Sequence, residues 1–375
     1  YDHPADRGLY SQRAIDDDMA LLLDLGATAL RSPMAPHPQA LSDRCDKEGI
    51  LAWIDLPFVR TRYLSDVSYY ATSDFEEGGV TLLKEIIWQN INHPSVVMWG
   101  LFSNLKAIDS RLCDYIRLLN QTAHKCDPTR PTVATSNSDG EINFITDAIV
   151  WHQNVGWGRG MVSDLGLWFE QLYNNWGHLK SAICYGAEGS IVQQPDSYRR
   201  PTPQTMELPE RRQSRFHEDY SEYTEADSVV WGRWINSLCD YGSARHKMSA
   251  NHSGLVDFDR KSIKDSYYLY RALWNKRDTT LHIADQRWRV RPTESQRFRV
   301  YVSEGLEPLL TINGDTVALT RKSACVWLSD EVAPLESMNL VVTAADHKAE
   351  AHIECGSALK APLQQAPLQT IGLQL

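Results

Sequence analysis

The chain has 375 residues, of which 42% are hydrophobic and 23% charged. This ordinary globular composition is enough for one large domain and a smaller one. The net charge of −10 argues against a nucleic-acid surface, which needs a clustered basic face. No run of about 18 apolar residues occurs, so no membrane span is predicted.

The seven cysteines are dispersed, with neither a C-x-x-C pair nor zinc-ligand spacing. Such a set predicts mostly buried thiols and no disulfide framework. We therefore predict neither a metal site nor a cofactor. No signal peptide is visible, and the sequence predicts neither a compartment nor an oligomeric state.

Short apolar runs alternate with amphipathic stretches up to about residue 278. In the helical stretch 15–25, apolar residues recur at close to 3.6 positions until Gly26. Strand and helix alternation predicts a parallel sheet, and nearly all-apolar strands favour a closed (β/α)8 TIM barrel over an open sheet. We predict seven strands, at 27–30, 51–56, 96–101, 132–135, 148–151, 182–185 and 229–235.

A complete barrel needs eight strands, so one strand is missing. We place it before Tyr1, which makes residues 1–8 the loop that follows it. The predicted domain at 1–278 is therefore a barrel lacking, or truncated before, its first strand. A barrel that is genuinely open at this point remains the alternative.

The sequence pattern changes at residue 279 to short alternating segments typical of antiparallel strands. The dipeptide Asn313-Gly314 is a strong hairpin signal. We predict a small antiparallel β-sandwich of immunoglobulin-like type at 279–358 and a tail or linker at 359–375. Its strands are predicted at 281–283, 288–290, 297–302, 308–312, 316–319, 324–328, 338–344 and 349–353.

Several segments together resemble glycoside hydrolase family 2, in particular its β-galactosidase group. The most specific is HPSVVMWGLF at residues 93–102, which is similar to the family's approach to its acid/base residue. Others are CDKEGILAWIDLPF at 45–58 and GLVDFDRK at 254–261. The resemblance implies hydrolysis of terminal β-galactosides or related β-glycosides. It also implies that sugar-binding and immunoglobulin-like domains precede this chain as partner domains of the same protein.

A retaining glycosidase needs two carboxyl groups roughly 5–5.5 Å apart, one as acid/base and one as nucleophile. The family pattern places them after the third and sixth visible strands. The residues at these positions are Asn104 and Cys184. An amide cannot act as a general acid, and a cysteine here is either a thiolate nucleophile or inert. Glu188, four residues beyond Cys184, is a candidate replacement.

The resemblance also implies a set of substrate-binding positions around this pair. Arg31 and His37 are retained, whereas Met34 stands where the family has a histidine and Asn236 where it has an aromatic platform. Trp157 is the best candidate for stacking on a sugar. The full set is Arg31, His37, Asp55, Ser103, His152, Asn154, Trp157, Tyr185 and Asn236.

Three functions follow from these substitutions. The first is a degenerate barrel that binds a galactoside-like carbohydrate, or a protein partner, without hydrolysing it. The second is an active glycosidase that uses Asp55 and Glu188, or Cys184, in place of the usual pair. The third is a structural scaffold with a filled cleft. An open pocket floored by Arg31, Trp157 and Tyr185 would favour a sugar, whereas a packed one would favour a scaffold.

Overall fold

The computed structural model describes residues 11–33, 35–58, 69–105, 110–153, 155–157, 160–177, 180–194, 207–226, 230–242 and 250–356. Seven strands form one parallel sheet in the order β1-β2-β3-β4-β5-β6-β7. This confirms the predicted truncated barrel, whose described edges are β1 and β7. The strands are β1 (Ala29–Ser32), β2 (Leu51–Asp55), β3 (Val96–Ser103), β4 (Thr132–Ser136), β5 (Ala148–Gln153), β6 (Lys180–Tyr185) and β7 (Val230–Ile235).

Helices alternate with these strands, as the apolar periodicity predicts. The first helix shows how the sequence fixes both ends of a helix. The Ser11 hydroxyl accepts a hydrogen bond from Ala14 N, and Gly26 ends the helix at φ 80°. A Cβ on Gly26 would lie 2.5 Å from Asn275 N, so this position excludes a side chain. The helices are α1 (Gln12–Leu25), α2 (Gln39–Glu48), α3 (Ser73–Asn90), α4 (Ser110–Cys126), α5 (Asp164–Trp176), α6 (Glu210–Ala226) and α7 (Asp265–Trp274), with a short 3-10 helix at Glu141–Phe144.

The barrel has two apolar layers. The larger one lies between the sheet and the helices, and the smaller one fills the barrel interior. The interior layer consists of Trp53, Val133, Val150, Ala182 and Cys184. The position predicted for the nucleophile is therefore part of the packed interior.

The second unit, here called the β-domain, comprises β10 to β18 after a short β8–β9 pair. It has a four-stranded and a five-stranded sheet, mostly antiparallel, as predicted. Asn313 and Gly314, at φ 52° and 95°, form the predicted hairpin turn between β13 and β14. The strands are β8 (Tyr241–Gly242), β9 (Ala250–Asn251), β10 (Leu281–Ile283), β11 (Val290–Arg291), β12 (Arg299–Val302), β13 (Leu309–Ile312), β14 (Asp315–Val317), β15 (Leu319–Arg321), β16 (Val326–Ser329), β17 (Ser337–Ala344) and β18 (His347–Cys355).

Residues 1–8 and the tail predicted at 359–375 lie outside the described residues. The domain limits and the immunoglobulin-like type of the second unit stay predictions. Across the described ranges, no helix combines the length and apolar character needed to cross a bilayer.

Candidate functional site

The carboxyl ends of β1 to β7 meet at one end of the barrel, here called the barrel mouth. Six of the predicted site residues are linked there: Arg31, Asp55, Ser103, Asn104, His152 and Cys184. We call these six residues the mouth cluster. Each lies at, beside or within two residues of the end of its strand, which is why a set spread over 150 residues of sequence meets in space.

A buried ion pair holds one side of the mouth cluster. The Arg31 Nη2 atom donates to Asp55 Oδ2 at 2.7 Å and to Ser103 Oγ at 2.7 Å. The guanidinium also lies over the Trp53 ring, 3.9 Å from its centroid. The Arg31 and Asp55 side chains are 10% and 3% exposed, so the pair is poorly screened by solvent. Asp55 is thus engaged by a cation.

A glycine makes room for that ion pair. A Cβ atom on Gly100 would lie 2.0 Å from Asp55 Oδ1 and 2.4 Å from Trp53 Nε1. No side chain can therefore replace Gly100 without moving Asp55 or Trp53. This explains the glycine in the Trp99-Gly100 pair in terms of packing.

Asn104, at the acid/base position, is bonded to His152. Its Nδ2 atom lies 3.0 Å from His152 Nδ1. With the amide nitrogen as the donor, Nδ1 is the acceptor and the ring proton lies on Nε2. Asn104 has a φ of 56°, a left-handed conformation that asparagine tolerates better than most residues. Its backbone N–H donates to Thr135 O at 2.7 Å.

Cys184, at the nucleophile position, is paired with His152 in the β5–β6 register. Its side chain is buried in the barrel interior. Burial raises the pKa of the thiol to about 11, while Arg31 lowers this pKa and Asp55 raises it. Cys184 is therefore a neutral thiol near pH 7, which is the inert form of cysteine.

His37 is retained from the family pattern but is sealed from solvent. Burial lowers its pKa to about 4, so the ring is neutral near pH 7. Neither ring nitrogen has a hydrogen-bond partner among the residues that the structure describes. No described contact links it to the mouth cluster.

Tyr185 does not face the mouth. Its ring packs on Tyr220 of α6, with centroids 4.6 Å apart, and its hydroxyl accepts a hydrogen bond from Tyr270 at 3.1 Å. Successive side chains of a strand point to opposite faces, so Cys184 inside the barrel places Tyr185 against the helices. The predicted pocket floor of Arg31, Trp157 and Tyr185 is therefore not assembled.

Trp157 is packed by its neighbours. The Arg212 guanidinium lies 3.9 Å from the centroid of its ring, and Phe216 contacts it edge-on at 6.1 Å. One face of the indole is thus covered by a cation, which leaves at most the other face for a sugar.

The remaining candidates follow β6 and β7. Asn236 N donates to Tyr185 O at 2.9 Å, and a Cβ on Gly186 would lie 2.0 Å from Asn236 O. Asn236 therefore lies directly beside the end of β6. Glu188 is half-buried in the loop that follows β6. Asn154 and Met34 lie outside the described residues.

Two tryptophans and a threonine of the mouth were missed by the sequence reasoning. The indole nitrogens of Trp53 and Trp234 and the hydroxyl of Thr135 are buried, and no hydrogen-bond partner for them lies in the described part of the chain. The rings of Trp53 and Trp234 meet edge to face, 5.1 Å apart. The available signal was the alternation of β2, in which Trp53 shares the inner face with Asp55.

Two groups of the described residues have the composition of a cation site. The first is Asp43, Asp46 and His93, and the second is Asp240, His252 and Asp257. In the first, His93 Nδ1 lies 2.6 Å from Asp46 Oδ2.

In the second group, Lys264 Nζ already supplies a positive charge. It lies 2.7 and 2.9 Å from the two Asp240 oxygens. The Asp240 carboxylate, one of the two in this group, is thus neutralised by the protein itself.

Comparison with known proteins shows that this chain is similar to glycosyl hydrolases. The profile of the TIM barrel domain of glycosyl hydrolases family 2 matches residues 2–277. A β-glucuronidase of Bacteroides fragilis is 33% identical over 338 residues, which cover 88% of this chain and 48% of the relative. A β-galactosidase of Thermoanaerobacter pseudethanolicus is 30% identical over 128 residues, covering 34% of this chain and 15% of the relative.

Solved structures agree on the fold. The FMN-binding β-glucuronidase from Facaelibacterium prausnitzii L2-6 superposes with a TM-score of 0.85 and 27% identity, covering 96% of this chain and 55% of that one. A Bacteroides uniformis β-glucuronidase superposes with a TM-score of 0.80 and 22% identity, covering 95% of this chain and 45% of that one. The chain thus spans about half the length of these relatives.

Proposed function

Because the chain belongs to glycoside hydrolase family 2, we propose that its barrel is a degenerate member that binds a carbohydrate without efficient hydrolysis. The observation that carries this proposal is the Asn104–His152 hydrogen bond of 3.0 Å at the acid/base position. An amide occupies the position where the reaction needs a carboxylic acid, and its hydrogen-bonding is directed to a neighbouring ring.

The nucleophile side supports the same conclusion. Burial keeps Cys184 protonated, with a pKa of about 11. Asp55 is engaged by the Arg31 guanidinium at 2.7 Å. Attack on an anomeric carbon needs an anionic group free to approach it. Neither residue meets that requirement, which weighs against the relocated use of Cys184 or Asp55.

The mouth still offers groups that suit a sugar hydroxyl. Asn104, His152 and Asn236 are half-buried at the mouth and carry amide and imidazole groups. Neutral donors and acceptors of this kind bind hydroxyl groups. The names of the relatives make β-glucuronides the first ligands to test, alongside the β-galactosides that the family resemblance implies.

The test is an assay of the full 375-residue chain against nitrophenyl β-glucuronide and β-galactoside. We expect no turnover above buffer, together with saturable binding of the intact glycosides in a calorimeter. Turnover that vanishes in Cys184→Ala or Glu188→Gln would overturn the proposal. His352→Ala, whose side chain is 51% exposed on β18 of the β-domain, is the control.

A restoring variant tests the same chemistry from the other side. The double change Asn104→Glu and Cys184→Glu returns both carboxyl groups to the family positions. We expect measurable hydrolysis from this double variant and none from either single one, because the reaction needs both groups. Equal activity in a single variant would show that a different carboxyl group completes the pair.

A structural scaffold is the second candidate, and one observation favours it. The predicted sugar floor is largely closed, because Tyr185 is fully buried against α6 and the Arg31 side chain is only 10% exposed. Absence of saturable binding to both glycosides, together with absence of turnover, would favour the scaffold over the carbohydrate-binding barrel.

A further inference from the structure

Helix α6 contacts the loops at the mouth through one fully buried residue, Gln213. Its amide nitrogen donates to Ala187 O at 2.9 Å and to Gly254 O at 3.0 Å. Its amide oxygen accepts from the Ser266 hydroxyl at 3.2 Å. Ala187 follows β6, and Gly254 follows β9 in a segment that is bonded to the loop after β7 through Ser237 N and Ser253 O at 3.1 Å. One side chain therefore joins the segments beside Glu188 and Asn236.

The space around Gln213 is too tight for an alternative arrangement. A Cβ on Gly189 would lie 2.5 Å from Gln213 Cβ. Further along α6, Tyr220 donates to Val155 O at 2.8 Å, in the loop after β5. Helix α6 therefore supports the loops that follow three consecutive strands of the barrel.

The first residue of the same helix binds the β-domain. Both oxygens of Glu210 accept from Arg287 Nη1, at 2.8 and 3.1 Å, and Oε1 also accepts from Asp265 N at 2.8 Å. Arg287 Nη2 donates to Ile263 O at 2.8 Å. Arg287 thus ties the start of α6 to the segment that leads into α7.

A second contact is buried one helical turn beyond Gln213. Glu218 is inaccessible to solvent and accepts from Tyr301 OH at 2.6 Å and Arg299 Nε at 2.9 Å, both on β12. Arg215 of the same helix bonds Glu218 and, at 2.9 Å, Asp285 of the β-domain. Charge-assisted bonds of this kind are strong and directional where solvent is excluded.

We propose that α6 couples the seating of the β-domain to the geometry of the barrel mouth, with Gln213 as the positioning residue. Glu210 and Gln213 are three residues apart and therefore neighbours on the helix surface. A shift of the β-domain moves Glu210 through Arg287, and Gln213 passes that shift to the loops after β6 and β7. The coupling goes beyond carbohydrate binding and does not depend on it.

Hydrogen–deuterium exchange on the full chain tests this coupling. In Arg287→Met, which removes the contacts of this side chain to Glu210 and to Ile263 O, we expect exchange about tenfold faster in peptides covering 187–190 and 252–256, because one charge-assisted contact to the helix is lost. The peptide covering 187–190 is the decisive one, because Ile263 bridges Val256 in the other peptide. Exchange in β4 should not change. Lys276→Met is the matched control, since Lys276 is 67% exposed and pairs with Glu304 on the surface.

The second variant, Gln213→Met, distinguishes an effect on the mouth loops from an effect on the interface with the β-domain. It should accelerate the same two loops and leave peptides of β12 unchanged. The proposal is overturned if Arg287→Met accelerates only the β-domain, or accelerates β4 equally with the loops. It is also overturned if the loops exchange normally in Gln213→Met.

Discussion

The interface between barrel and β-domain and the barrel mouth differ in how their buried polar groups are paired. At the interface, both carboxylate oxygens of Glu210 and Glu218 have partners, and Asp285 Oδ1 is the exception. At the mouth, Asn104 Oδ1, Thr135 Oγ1 and both nitrogens of His37 are buried without a hydrogen-bond partner among the described residues. Each unpartnered buried group costs about 1–3 kcal/mol. The charged side chains of α6 that reach the β-domain are therefore well paired, whereas the mouth carries several buried polar groups that no described residue pairs.

The largest expected effect is a loss of stability in a variant that disrupts the interface. Arg215→Met removes the cation shared by Glu218 and Asp285, which leaves two buried carboxylates less compensated. We expect a loss of about 3 kcal/mol in the free energy of unfolding, measured by urea denaturation. Lys276→Met, at an exposed pair, should change it by less than about 0.5 kcal/mol. Equal small effects would remove the contrast between the two regions.

The next effect is at the mouth and depends on pH. Burial holds the pKa of His37 at about 4, below its ordinary value of 6.5. The unfolded chain therefore binds a proton that the folded chain does not, and stability falls as pH drops from 6.5 towards 4. The difference between the two pKa values corresponds to about 3 kcal/mol in the free energy of unfolding.

His37→Leu removes this titration. The variant should gain stability relative to the parent by about 2 kcal/mol at pH 5 and by less at pH 8, in urea denaturation at both values. The parent and variant losing stability in parallel between the two pH values would contradict the buried neutral state. Because nothing described binds the ring, we expect no penalty from the loss of its nitrogens.

The same contrast explains what the sequence could predict. The strand and helix periods predicted the barrel, and Asn313-Gly314 predicted a hairpin of the β-domain, because these are local signals. The resemblance to the family predicted that six residues lie in one site: Arg31, Asp55, Ser103, Asn104, His152 and Cys184. The family spacing alone did not show that Tyr185 faces α6; the signal for it was the alternation of β6 once Cys184 is placed inside the barrel. Gln213 was missed because its partners, Ala187 and Gly254, are 26 and 41 residues away.

The smallest expected effect concerns the reactivity of the Cys184 thiol. With the pKa raised to about 11 by burial, the thiolate fraction at pH 8 is on the order of a hundredfold below that of an ordinary exposed cysteine. We expect iodoacetamide to label half-buried Cys126 well before Cys184, as read by mass spectrometry of tryptic peptides. Unfolding in urea should equalise the two rates. Rapid native labelling of Cys184 would mean that the mouth opens to solvent and holds a reactive thiolate, which would return this residue to the list of nucleophile candidates.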